Sequence, residues 1–160
     1  MATGRMDRSG VIVSCATCGR ANRLAFDALT KTARCGQCKT PMSAPRTPIE
    51  VEEPAAFDAA AQSSALPLLV DFWAPWCGPC RMVAPELERV AMNQAGRYLV
   101  IKVNTDVHQD LGSRFRVRSI PTLALVFRGE EIDRMAGALP AAEIEAFAER
   151  ALARFNRRAS

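Results

Sequence analysis

The sequence predicts an α/β domain with a small, separate cysteine-bearing module in front of it. From about residue 49 onward, apolar strand-like runs alternate with amphipathic helical stretches, the pattern left by helices laid on a sheet. Leu66–Trp73 is a near-continuous apolar run, as expected for a central strand covered on both faces. Cys15/Cys18 and Cys35/Cys38 form two C-x-x-C pairs within residues 10–40, a stretch with little apolar mass of its own.

Residues 1–9 are expected to be disordered and residues 10–40 to form the module. Residues 41–54, with prolines at 41, 45, 48 and 54, read as a stiff linker, because proline removes a donor and favours extended backbone. The linker leads into an edge strand at Ile49–Glu52, and residues 49–157 make the α/β domain. Ala55–Ser63 is expected to be a short helix. A second helix starts at the Cys77–Cys80 turn, directs Met82, Val83, Leu87, Val90 and Ala91 inward, and is kinked by Pro85. Tyr98–Val103 is the next strand, followed by a short helix near Val107–Phe115. Thr122–Phe127 and Glu131–Ala136 form a hairpin through Arg128-Gly129-Glu130. The last helix carries a stripe of Ile144, Phe147, Ala148, Ala151, Leu152 and Phe155, which is helical spacing.

Apolar residues make up 49% of the 160 residues, enough for a core, yet no apolar run approaches the ~18 residues of a membrane span. Near the start, only Val11-Ile12-Val13 is apolar, well short of the roughly 7–15 residues of a secretory signal. A cytoplasmic protein without membrane association is expected. The net charge of +4 is unevenly placed: through Arg46 there are 8 Lys/Arg against 2 Asp/Glu, and 13 against 15 thereafter. A basic module invites a nucleic-acid reading. Phe26 is its only aromatic residue, however, so Arg20, Arg23, Lys31, Arg34 and Lys39 read better as a solvated face and nucleic acid is not expected as a partner. Nothing in the sequence points to an obligate oligomer, and a monomer is expected.

The third pair, Cys77/Cys80, differs from the other two in context, because it sits between a buried strand and the start of a helix. A thiol there faces unpaired backbone N–H groups and the positive end of the helix dipole, which stabilise its thiolate. Cys77 is then the attacking nucleophile and Cys80, one turn further in, the resolving thiol. Zinc binding is the rival reading. It needs two more ligands, only His108 remains outside the other pairs, and Pro79 suits the first turn of a helix better than a metal knuckle.

The segment Val70-Asp71-Phe72-Trp73-Ala74-Pro75-Trp76-Cys77-Gly78-Pro79-Cys80-Arg81 resembles the active-site segment of thioredoxins, the usual example of this motif. The resemblance continues through Lys102-Val103-Asn104-Thr105-Asp106, Ser119-Ile120-Pro121-Thr122 and Gly137, and covers roughly residues 49–155. It implies a thioredoxin fold, a mixed central sheet flanked by helices. Asp71 would then be a buried carboxylate that relays the proton of Cys80, and Lys102 a neighbour that tunes it. Pro121 would match the family's cis-proline. Trp76, Gly78, Pro79, Ile120 and Gly137 would form the rim on which substrates dock. From the residues alone, Asp71 also reads as a strand-end aspartate, Lys102 as a solvent-facing lysine and Pro121 as an ordinary strand-start proline. The Gly-Pro dipeptide accompanies reductants in the family. Thioredoxin reductase, with disulfide-containing proteins as substrates, is the partner set so implied, and the redox step needs no bound cofactor.

Sixteen residues separate the first two pairs, which fits the C-x₂-C-x₁₅₋₂₀-C-x₂-C zinc pattern. Cys15, Cys18, Cys35 and Cys38 would fill all four tetrahedral positions of one ion, making it structural and not catalytic. Glycine within or just after each turn would relieve the backbone. Two local disulfides, or further redox pairs, are the rival readings; neither pair has a helix-start context, and so small a segment has little core without a metal. A zinc-ribbon-like module ahead of a thioredoxin domain resembles the bacterial two-domain thioredoxins of the thioredoxin 2 group. The function expected is thiol–disulfide exchange, with the module docking partners or sensing oxidants. The rivals are an adaptor on an inert scaffold and a disulfide oxidase.

Overall fold

A computed structural model describes residues 4–159. Three sheets and four α-helices are found among the described residues. The N-terminal part holds β1 (Arg5–Asp7), β2 (Gly10–Ser14) and β3 (Ala21–Ala25) in one antiparallel sheet. A 3₁₀ turn at Phe26–Ala28 and the two-stranded ribbon of β4 (Ala33–Arg34) and β5 (Pro41–Met42) complete it. The larger part contains β6 (Ile49–Glu50), α1 (Pro54–Ser63), β7 (Leu68–Trp73), α2 (Gly78–Asn93), β8 (Leu99–Asn104), α3 (Gln109–Arg114), β9 (Thr122–Phe127), β10 (Glu130–Ala136) and α4 (Ala141–Ala159).

These strands form a mixed sheet in the order β10-β9-β7-β8-β6. β6 and β7 run parallel to β8, while β9 runs antiparallel to β7 and β10. A mixed sheet flanked by helices, with a ribbon-like module ahead of it, is the architecture that the sequence resemblance implies. Alternation along the strands splits the core in two. Leu68, Val70 and Phe72, with Leu99, Ile101 and Val103, face α1. Leu69, Val100, Leu123 and Leu125 face the buried stripes of α2 and α4. The α2 stripe is Val83, Leu87, Val90 and Ala91, whose spacing keeps them on one helical face. Met82 lies off that face and is 70% exposed, so the expectation that it points inward is corrected. Helix α2 continues through Pro85, which forgoes one backbone bond to the preceding turn.

The expected disordered start is also corrected for residues 4–9; residues 1–3 lie outside the described residues. Asp7-Arg8-Ser9-Gly10 is a turn, with the Asp7 carboxylate accepting from Ser9 N at 2.8 Å and Gly10 N at 3.2 Å, a local arrangement that Asp favours. Arg23 donates twice to the same carboxylate from β3, at 2.9 Å and 2.6 Å to Oδ2. Gly4 N donates to Pro48 O at 2.7 Å, beside a parallel bridge from Gly4 to Ile49. Met6, Val11, Leu24, Phe26 and Leu29 then bury themselves in one cluster with Ile49, Val51 and Phe57. The module thereby gains a core by sharing that of the larger domain. Only part of the expected linker is structureless, since Pro41 sits in β5 and β6 begins at Ile49.

Candidate active site and candidate metal centre

Strand β7 leads through Ala74-Pro75-Trp76 to Cys77, the N-cap of α2. Cys77 Sγ accepts from Cys80 N at 3.2 Å, so the sulfur takes the place of a capping oxygen on an otherwise orphaned helix donor. Gly78 and Pro79 occupy the first turn, where proline's missing N–H costs nothing. Cys77 and Cys80 are joined by a disulfide, their Cα atoms 5.3 Å apart. Both are nearly buried and pack with Ala74, Trp73 and Ile120. Trp76, by contrast, is 68% exposed, its Nε1 donating to Asp106 Oδ1 at 3.2 Å.

The turn before β9 closes over this disulfide. Ile120 O lies 3.8 Å from Cys77 Sγ, and the Ile120–Pro121 peptide is cis. Gly137 N donates to Pro121 O at 3.0 Å, with Gly137 in the left-handed region at φ 100°. The structure thus brings Cys77, Ile120, Pro121 and Gly137 together from three separate parts of the chain. A shallow cavity of about 420 Å³ opens alongside, lined by Trp76, Thr105, Gln109, Val117, Arg118 and Ile120 among others.

Asp71 stands in the middle of β7, 1% exposed, and its Oδ1 has no hydrogen-bond partner among the described residues. Burial pushes its pKa up to about 7; Lys102, directly opposite on β8, pulls against this, and the Glu50 carboxylate adds to it. Lys102 Nζ sits over the Trp73 ring, 4.7 Å from its centroid. Trp73 Nε1 donates to Glu50 Oε1 at 3.2 Å. Burial also raises the Glu50 pKa, against Lys102, the indole N–H and His108. Glu50 belongs to this group, yet no reading of the sequence singled it out. Its clue is the alternation Ile49-Glu50-Val51, which carries meaning only once β6 is known to lie beside β8. His108 is buried, and its Nε2 is 2.9 Å from Val51 O, so it is no third ligand for Cys77/Cys80.

The other four cysteines meet at one point. Their sulfurs all lie within 4.8 Å of one another, with Cys15–Cys38 and Cys18–Cys35 both at 3.6 Å. Four sulfurs about 2.3 Å from a tetrahedral ion stand roughly 3.8 Å apart, so the donor set fits one four-coordinate metal. The two loops are built alike. Cys15 N donates to Arg20 O and Gly19 N to Cys15 O in the first; Cys35 N donates to Thr40 O and Lys39 N to Cys35 O in the second. In each, the residue four past the first cysteine is left-handed, Gly19 at φ 78° and Lys39 at φ 64°. The second loop therefore places Lys39, and not Gly36, where glycine's freedom is wanted, a correction to the sequence reading. Backbone N–H groups of Cys38 and Gln37, with Asn22 Nδ2, point at Cys35 Sγ and lower that thiol to about 6. At Cys18 a backbone donor from Arg20 is outweighed by burial and the neighbouring sulfurs, and the thiol rises to about 11. Four thiolates this close need a cation among them to be ionised together.

The thioredoxin family model matches residues 48–150. Thioredoxin C-3 of Corynebacterium nephridii is 39% identical over 143 residues, spanning 89% of this chain and 96% of its own length. A match of that length must begin by residue 18, so it takes in most of the N-terminal module. The thioredoxin of Haemophilus influenzae is 44% identical over 93 residues, covering 58% of this chain and 87% of its own. Among solved structures, a mutant thioredoxin from Halobacterium salinarum NRC-1 superposes with a TM-score of 0.62 at 30% identity. It covers 68% of this chain and 94% of its own.

Proposed function

Because the chain belongs to the thioredoxin family and is a protein thiol–disulfide oxidoreductase, we propose that it works as a reductant of protein disulfides through Cys77 and Cys80. The observation that carries this is the Cys77 sulfur at the N-cap of α2, beside the Ile120–Pro121 turn. In the reduced protein the Cys77 thiolate attacks one sulfur of a substrate disulfide. A mixed disulfide forms and the second substrate sulfur leaves as thiolate. Cys80, giving its proton to Asp71, then attacks Cys77 Sγ; the substrate's remaining sulfur leaves, and the Cys77–Cys80 disulfide forms. Two electrons pass from the dithiol to the substrate. The raised Asp71 pKa suits this transfer, since a base is most useful near the working pH. Lys102 tunes Asp71, and Pro121 with Ile120, Trp76, Gly78, Pro79 and Gly137 forms the face that holds the substrate chain. Thioredoxin reductase is the proposed electron donor.

Cys15, Cys18, Cys35 and Cys38 would hold one zinc ion with no open position, and the ion's contribution is to fold the module. Together with the domain order, this supports placing the chain in the thioredoxin 2 group. The test is insulin-disulfide reduction driven by NADPH and thioredoxin reductase, with Cys77→Ser as control. Turnover lost in the variant is expected; failure with both reductase and dithiothreitol as donor would refute the reductant reading.

A further inference from the structure

Three ionisable side chains stand in a row on one face of the sheet. The register sets Glu50 of β6 beside Lys102 of β8, and Lys102 beside Asp71 of β7. Residues in register on adjacent strands share a face, the strands lying about 4.8 Å apart. The field of one ammonium group therefore reaches both carboxylates, while its Nζ rests on the Trp73 ring. Apart from Lys102, no cation is opposite Asp71 in the register, and its Oδ1 has no hydrogen-bond partner among the described residues. Glu50 is better supplied: it is half-buried, it accepts from the Trp73 indole, and that same indole carries Lys102 Nζ on its ring. His108 also faces it, with its Nε2 at Val51 O.

Of two like charges competing for one cation, the one with hydrogen bonds and some solvent ionises first, and the other is driven to keep its proton. We propose that Glu50 is a positioning residue that sets the proton affinity of Asp71, by holding a share of Lys102 and by placing a second negative charge in the row. The directions of the electrostatic effects agree, since Lys102 lowers both carboxylates and Glu50 raises Asp71. Glu50 also anchors Trp73, the last residue of β7 before the active-site loop. The proposal rests on the reading of Asp71 as the proton acceptor of Cys80, and it adds what tunes that acceptor.

The test is the carboxyl ¹³C titration of Asp71 in the reduced protein, beside the pH dependence of insulin reduction, for the wild type, Glu50→Gln and Glu50→Asp. Glu50→Gln should lower the Asp71 midpoint by about one pH unit, a tenfold change in its ionisation ratio at fixed pH. Glu50→Asp, which keeps the charge, should stay within about 0.3 unit of the wild type. An unmoved midpoint in Glu50→Gln overturns the proposal, as does an equal shift in both variants, which would report only a disturbed indole. Should Glu50→Gln not fold, the wild-type Asp71 resonance decides: it must show a second inflection tracking the Glu50 titration, and its absence overturns the proposal. Asp71→Asn separates the two readings. If it leaves the pH profile of turnover unchanged, Asp71 is not the proton acceptor, whatever the titrations show of Glu50.

Discussion

Replacing Asp71 by Asn removes a charge from the centre of the sheet while keeping the side chain's shape. The carboxyl group has a pKa of 3.8 in an exposed chain and about 7 in the fold, a difference of about 3 units and hence about 4 kcal/mol. Below pH 3.8 both states hold the proton and the group costs nothing. Between 3.8 and 7 the folded state keeps a proton that the unfolded state releases, so stability falls as pH rises through this window. Above pH 7 the full cost is present. Asp71→Asn should therefore unfold in urea much as the wild type does near pH 4, yet be about 4 kcal/mol more stable at pH 8.5. Both proteins are compared with the Cys77–Cys80 disulfide intact, and the quantity of interest is the difference between them, which cancels the titrating groups that do not interact with Asp71. An advantage equal at the two pH values would refute the reasoning, because a packing effect has no such window. The same variant should reduce insulin more slowly, the usual relation between a destabilised site and its activity.

Gly10→Ala should destabilise the N-terminal sheet, by about 2–4 kcal/mol in urea unfolding, because a Cβ there would lie 2.2 Å from Leu24 O, a backbone atom that cannot turn aside. Lys39→Gly should gain about 1 kcal/mol by relieving a left-handed lysine, whereas Gly36→Ala, whose Cβ would meet nothing closer than 3.6 Å, should be neutral by the same assay. Elemental analysis of the purified chain should find one zinc per molecule. Chelation should release it and abolish amide-exchange protection at the loop amides of Cys15, Gly19, Cys35 and Lys39, while the Cys77/Cys80 dithiol still reduces insulin with dithiothreitol as donor.

The two groupings of cysteine, one disulfide and one four-sulfur cluster, were legible because each is local. A C-x-x-C at a strand-to-helix junction places a sulfur on free N–H groups within one turn, and a C-x-x-C knuckle presents two sulfurs to one ion within five residues. The order of the larger elements was legible for a similar reason, since the Leu66–Trp73 run and the α4 stripe each record burial along a single element. What escaped the sequence depends on partners far away in the chain. Residues 4–9 have no apolar run to announce a strand; their order comes from pairing with β2 and from a bridge to Ile49. Met82 reads as core by composition, but the stripe of α2 turns it outward. Glu50 and Asp71 are 21 residues apart and each is unremarked alone; only the strand order, with β8 between them, makes them share Lys102. The sequence by itself determined which atoms can carry the chemistry, because thiol spacing and helix starts act over one turn of backbone. The tertiary structure decided how strongly Asp71 holds its proton, because that depends on burial and on charges which only the assembled sheet brings together.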